Sequence, residues 1–232
     1  MMLLDHWREW LYPFGYLAQL VFGLRLLQQW FVSEQHQKSI VTPIFWRLSV
    51  IGNVLLVVHG FIQLQFHVTA IQLCNAIIAW RNLNLMKEPN SQFKLRTVIV
   101  LMVGLNGLLA LFFVLPNFLF DQWTIEWFRL PTWNGQAVRN VSILWHILGT
   151  LGMMLFASRF WAQWLIAEWE HRSIVRPLFW WLSFCGGIVS VVYANYIGDP
   201  VNGIGPGLGL ISYIRNLMLI HKKGAKPVHG GL

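Results

Sequence analysis

The sequence predicts an all-α membrane fold: seven transmembrane helices grouped as two parallel three-helix repeats joined by a linker helix. Three observations predict it. Of the 232 residues, 56% are apolar and only 11% charged, with a mean hydropathy of +0.53, whereas an ordinary soluble domain is about one quarter charged. Seven apolar runs each approach the roughly 20 residues that carry a helix across a bilayer core. The chain also matches itself, without gaps, at one fixed offset.

The runs lie at 11–32, 43–64, 67–86, 97–119, 142–166, 178–197 and 203–221. The first does not read as a cleavable signal peptide, because Asp5 and Glu9 flank Arg8 and no small-residue cleavage site follows. The net charge of +8 is a matter of topology. With the N-terminus outside, the inner loops and tail collect Lys38, Lys87, Lys94, Arg96, Arg172, Arg176, Lys222, Lys223 and Lys226, against Arg8, Arg129 and Arg139 outside. The expected placement is therefore the bacterial inner membrane, N-terminus periplasmic and C-terminus cytoplasmic. No basic domain or nucleic-acid motif accompanies the charge, so no nucleic-acid partner is expected. Cys74 and Cys185 sit within predicted spans as small core residues, and the histidines form no metal-binding pair, so neither a metal nor a cofactor is expected.

The repeat pairs Arg25 with Arg159, 134 positions on, and in the same register Gln29 with Gln163, Trp30 with Trp164, Glu34 with Glu168, Lys38 with Arg172 and Ser39 with Ser173. It continues through Pro43 and Pro177, Phe45-Trp46 and Phe179-Trp180, Ser49 and Ser183, Gly52 and Gly186, to Arg81-Asn82-Leu83 and Arg215-Asn216-Leu217. Three spans are an odd number, so direct fusion would invert the second copy. The extra span near 97–119 restores parity, giving repeats at 11–88 and 142–222 around a linker helix at 95–120, related by an axis along the membrane normal as in transporters of the SWEET type.

The repeated polar residues are candidates for chemistry. Arg25 and Gln29 share a helix face, and Arg81 comes late in the third span, which sets the repeated polar side chains toward the cytoplasmic face. An arginine in hydrocarbon costs at least about 2.5–3.5 kcal/mol unless it snorkels, pairs or meets water. Two explanations stand side by side. In one, Arg25 and Arg81 reach phosphates or pair with Glu34, while Arg159 and Arg215 use Glu168. In the other, Arg25, Arg81, Arg159 and Arg215 converge on one anionic headgroup, which a guanidinium fork grips bidentately. Gln29, Gln163, Asn82, Asn216, Glu34 and Glu168 are the polar support. Pro43 and Pro177 open helices, where a missing N–H costs nothing, and with them Trp46 and Trp180 are expected to serve a lipid chain or helix packing, the two indoles at the depth of an interfacial aromatic belt. The second copy alone carries Gly198-Asp199-Pro200 and Gly203, Gly205, Gly207 and Gly209, read as close helix packing. No nucleophile–base pair or nucleotide loop appears, so no catalytic residue is assigned.

The run Arg25-x-x-x-Gln29-Trp30-x-x-Ser33-Glu34, then Ser39, Pro43 and Phe45-Trp46, ending in Arg81-Asn82-Leu83, resembles the lipid A biosynthesis N-terminal domain family. The second run, from Arg159 and Gln163-Trp164 through Ser173, Pro177, Phe179-Trp180 and Ser183 to Asp199-Pro200 and Tyr213-x-Arg215-Asn216-Leu217, resembles it more fully. Ala167 replaces the serine before the second glutamate, and the first copy has Ala79-Trp80 before Arg81 in place of the tyrosine pattern. The resemblance implies envelope glycolipid metabolism in a bacterium. It names a domain found ahead of some lipid-A-disaccharide synthases; with no glycosyltransferase domain read after Lys223, transferase activity of this chain alone is not expected. The leading expectation is binding and translocation, or presentation, of a phosphate-bearing lipid such as a lipid A precursor or an undecaprenyl-phosphate sugar. The alternatives are a non-catalytic scaffold for a membrane-associated glycosyltransferase, and SWEET-like transport of a small solute.

Overall fold

A computed structural model describes residues 6–37, 39–119 and 141–222. A short helix α1 (His6–Leu11) is followed by seven long ones: α2 (Phe14–His36), α3 (Pro43–Ile62), α4 (Phe66–Leu85), α5 (Leu95–Leu119), α6 (Ile143–Glu170), α7 (Pro177–Ile197) and α8 (Pro200–Lys222). The fold is all-α and of membrane type. Five of the long helices, α3 and α5 to α8, are long and apolar enough to cross a bilayer by length and composition. The other two, α2 and α4, stand among them but carry more polar residues, because their polar faces turn inward.

The expected first span, 11–32, shifts. Pro13 cannot donate to a helix ladder, so α1 stops at Leu11 and α2 starts at Phe14, then runs on to His36. That extension changes a depth. Arg25 becomes equidistant from the two ends of α2, rather than lying near the cytoplasmic end. Pro43 and Pro177 do open α3 and α7, and the Thr42 hydroxyl caps α3 by accepting from the Phe45 N–H at 3.4 Å. The turns repeat as well. Gln37 and His171, equivalent positions, both end their helices in the left-handed region. Leu64 and Gly198, also equivalent, take φ of 54° and 71° in the short turns that lead into α4 and α8.

Packing follows a ring. Within each repeat α2, α3 and α4, or α6, α7 and α8, pack in order; between repeats α2 lies against α8 and α4 against α6. The two seams are therefore equivalent under the repeat, as a pseudo-twofold axis along the bundle requires. Outside the ring α5 packs on α4, and its Val103, Leu108, Leu111 and Phe112 are exposed, as suits a helix facing lipid. The ends of α2, α4, α6 and α8, with the intervening turns, form one end of the bundle, which carries Lys87, Lys94, Arg96, Arg172 and Arg176. Lys38, Arg129, Arg139, Lys223 and Lys226 of the charge count lie outside the described residues.

The two halves of the bundle differ in filling. Toward the basic end a core of Leu26, Phe45, Trp46, Ile78, Phe160, Trp164, Phe179, Trp180 and Tyr213 closes the centre. Trp46 and Trp180 are both fully buried, so the interfacial belt expected of them is not where they sit. Each stands edge-on to its neighbouring phenylalanine with ring centroids 5.0 Å apart. Helices approach closely here because Gly186 faces the backbone of α6: a Cβ at Gly186 would lie 2.5 Å from the Phe156 nitrogen.

Candidate functional site

The other half of the ring is hollow. A cavity of about 120 Å³ runs from the level of Arg25, Arg159 and Tyr213 to the α3–α4 and α7–α8 turns, and residues of both repeats line it. That is room for several waters or for a small headgroup. Its floor is duplicated: Arg25 with Phe22 on α2, Arg159 with Phe156 on α6, in each case three residues apart on one helix face.

The two guanidiniums are held chiefly by aromatic rings. Arg25 lies 4.8 Å from the Phe22 centroid and 5.0 Å from that of Phe45, and donates to the Ser49 hydroxyl at 3.3 Å. Arg159 lies 3.2 Å from the centroid of Phe156, 4.6 Å from that of Phe160 and 6.0 Å from that of Tyr213. Each contributes on the order of 0.5–2 kcal/mol of cation–π attraction. Both residues are only 5% exposed. Arg25 Nε and Arg159 Nη1 have no hydrogen-bond partner, and among the described residues neither arginine meets a carboxylate. A buried ion without a counterion costs several kcal/mol, so the pair creates a strong demand for an anion. The walls add Gln19 Oε1, Asn75 Oδ1 and Ser190 Oγ, buried and likewise without partners. Asn53, Gln72, Asp199 and Asn202 also line the space.

The remaining repeated polar residues go elsewhere, to the two seams near the basic end. At the α2–α8 seam Gln29 donates to Asn216 Oδ1 at 2.8 Å and Asn216 donates back at 3.1 Å, while the Ser39 hydroxyl donates to the same Asn216 oxygen at 2.7 Å. At the α4–α6 seam Gln163 and Asn82 exchange bonds of 2.5 and 2.8 Å, with Ser173 donating to Asn82 Oδ1 at 2.8 Å. An ion pair finishes each seam. Arg81 grips Glu168 bidentately at 2.5 and 2.8 Å and also donates to Asn84 and to the Phe93 carbonyl; Arg215 pairs with Glu34. The ion pairs thus cross between repeats, correcting the expectation of Arg81 with Glu34 and Arg215 with Glu168. The reason is the ring: the end of each third helix lies beside the first helix of the other repeat, not of its own. Of the four arginines, Arg25 and Arg159 come together at the cavity, and Arg81 and Arg215 are engaged away from it, in the seams near the basic end.

Two segments of the sequence, 14–84 and 148–218, match the lipid A biosynthesis N-terminal domain. The chain belongs to that family. Its two matches stand in the same register as the two repeats, so each family unit is one side of the ring. The chain is also 38% identical over 217 residues to a lipid-A-disaccharide synthase of Chlamydia felis, covering 94% of this chain and 34% of that protein. Similar matches are the lipid-A-disaccharide synthases of Chlamydia caviae, 36% identical over 94% of this chain and 34% of the relative, and Chlamydia pneumoniae, 37% identical over 92% and 34%. The chain spans about a third of the length of these curated relatives. No solved structure matches. The tandem domain is thus a membrane component related to lipid A biosynthesis.

Several residues of this tandem domain's cavity escaped the sequence reading. Gln19, Asn53, Gln72, Asn75 and Ser190 break otherwise apolar runs, and those polar interruptions, spaced by three in Gln72 and Asn75, were the available signal. They are not repeated at the 134-residue offset, so a search for duplicated chemistry passed over them. Asp199 was visible as a difference between copies, without a role. Among the described residues no group of three or more His, Cys, Asp or Glu side chains stands close enough to hold a metal ion.

Proposed function

We propose that this tandem domain binds a phosphate-bearing lipid of envelope glycolipid biosynthesis, a lipid A precursor or a polyprenyl-phosphate sugar, in the central cavity, and translocates or presents it. The observation that carries the proposal is the pair of buried guanidiniums on the cavity floor that meet no carboxylate among the described residues. A phosphate there accepts from both forks and relieves two desolvated charges at once. Apolar residues of the same wall, among them Leu56, Ile71 and Met153, suit the first carbons of a lipid chain. Arg81 and Arg215 support the site indirectly, by fixing α4 against α6 and α8 against α2. The inner membrane, with the N-terminus periplasmic, is the placement that goes with this function, and the cavity then faces the periplasmic half.

The test is binding and movement of a fluorescent short-chain polyprenyl phosphate with the full chain reconstituted in liposomes. Arg25→Gln and Arg159→Gln are each expected to weaken binding at least tenfold, and the double variant to abolish it. Unchanged affinity in the double variant overturns the proposal. Binding without exchange between leaflets assigns presentation rather than translocation.

A second function is favoured by one observation: the named relatives are about three times as long as this chain and are lipid-A-disaccharide synthases. In that case the domain serves a glycosyltransferase as membrane scaffold, docking it on the turns at the basic end, where Glu170 pairs with Arg172 at 3.1 Å and with Arg176. Co-purification of a glycosyltransferase that is lost on reversing those charges supports it.

A further inference from the structure

The floor of the cavity is symmetric and its mouth is not. Arg25 and Phe22 have Arg159 and Phe156 as repeat equivalents, but the first residue before α4 is Gln65 whereas the equivalent residue before α8 is Asp199. A neutral amide in one copy stands against a carboxylate in the other. Asp199 is 2% exposed and lines the cavity. Its Oδ1 accepts from the Tyr12 hydroxyl at 2.8 Å and from the Asn202 N–H at 3.2 Å, and its Oδ2 from the Asn202 amide at 2.8 Å. A carboxylate offers about four acceptor positions, so three donors leave one. No ion pair neutralises Asp199 among the described residues.

The cavity therefore carries two positive charges at its floor and one negative charge at its mouth, along one axis. We infer that the ligand is itself bipolar: a lipid phosphate whose headgroup sugar bears a free, protonated amine, the phosphate on Arg25 and Arg159 and the ammonium on Asp199. The inference rests on the phosphate-lipid function proposed above and names the headgroup for that same cavity. Spacing selects a sugar. From Asp199 to Gly209, over which the Tyr213 ring beside the Arg159 guanidinium leans, α8 rises roughly 15 Å at 1.5 Å per residue. Both arginines lean toward the N-termini of their helices, over the rings of Phe22 and Phe156 one turn back, and hence toward Asp199. Allowing for these reaches, a gap on the order of 10 Å remains. Ethanolamine, with two carbons between phosphate and amine, does not fill that gap; a sugar ring with its linking oxygens does. The unpartnered Gln19 Oε1, Asn75 Oδ1 and Ser190 Oγ lie between the two ends as partners for ring hydroxyls.

The experiment compares two probes that differ only in the amine, farnesyl-phosphate glucosamine and farnesyl-phosphate N-acetylglucosamine, binding to the full chain in phosphatidylglycerol nanodiscs. The wild-type protein is expected to prefer the free amine at least tenfold. Asp199→Asn, which keeps the shape of the Tyr12 contact, is expected to remove the preference for the free amine, whereas Arg159→Gln weakens both probes equally and keeps the preference. Equal wild-type affinities, or a preference that survives in Asp199→Asn, overturn the amine assignment while leaving the phosphate-lipid function standing. Phosphatidylethanolamine competing as well as the aminosugar probe overturns the assignment to a sugar. Absence of binding by both probes and by farnesyl phosphate overturns the function proposed for the cavity and the headgroup assignment with it.

Discussion

The two seam ion pairs are equivalent by repeat but not by burial, and that difference fixes a pair of unequal outcomes. At the α4–α6 seam the side chains of Arg81 and Glu168 are 4% and 13% exposed; at the α2–α8 seam those of Arg215 and Glu34 are 35% and 31% exposed. Glu168→Gln leaves a buried guanidinium without its counterion. Removing one partner of a buried pair costs about 3–5 kcal/mol, and because Arg81 keeps its bonds to Asn84 and Phe93 the low end, about 3 kcal/mol, applies. Glu34→Gln frees an arginine that water and phosphates reach, so the exposed-pair rule predicts little change. At about 2–4 °C per kcal/mol for a chain of this size, Glu168→Gln is expected to lower the melting temperature in detergent by roughly 6–12 °C, with Glu34→Gln near wild type. Intrinsic tryptophan fluorescence reports the transition, since Trp164 donates to Glu168 at 2.8 Å and Trp180 lies in the same core. Equal shifts in the two variants, or a larger one for Glu34→Gln, would refute the reasoning from burial.

Three further outcomes follow from the geometry. The double variant Arg25→Gln/Arg159→Gln, which loses the ligand, is expected to be more heat-stable than wild type in ligand-free detergent, because it removes two uncompensated buried charges; a lower melting temperature would show the arginines to be structural. Gly186→Ala is expected to destabilise by about 1–3 kcal/mol, as overpacking does, because the added Cβ meets the Phe156 backbone nitrogen at 2.5 Å, which cannot swing aside; thermal unfolding beside Gly107→Ala, where nothing lies within 4 Å, checks it. Leu64→Gly is expected to stabilise by about 1 kcal/mol, since Leu64 holds the left-handed conformation that its equivalent Gly198 adopts without penalty; denaturation of the purified variant measures it.

Much of the fold was legible because membrane helices announce themselves by length and because duplication leaves a ruler in the sequence. The helix count, the parity of the linker helix and the proline-opened second helices of each repeat, at Pro43 and Pro177, were all available from spacing. Partnership was not. Arg25 and Arg81 lie in one repeat and look alike as intramembrane cations, yet one faces a cavity and the other a carboxylate 87 positions away. Only the closure of six helices into a ring decides which is which, and no local pattern encodes that. Trp46 shows the same limit: an indole one turn inside a helix reads as an interfacial anchor unless it is known to lie within the closed core. The unrepeated residues at the mouth were hidden for the opposite reason, since a search for likeness discards what has diverged.

Ring closure also sets an order of assembly. The amide contact between Gln29 and Asn216 joins positions 187 residues apart, so at ribosomal speeds of about 5–20 residues per second the first helix waits roughly 10–40 s for its neighbour to be made. During that interval α2 sits in the bilayer with Gln29 and Arg25 lacking their final surroundings. Nascent chains arrested before α8 are therefore the stage at which insertase or chaperone contacts should concentrate on α2, and at which proteolysis competes most effectively with maturation.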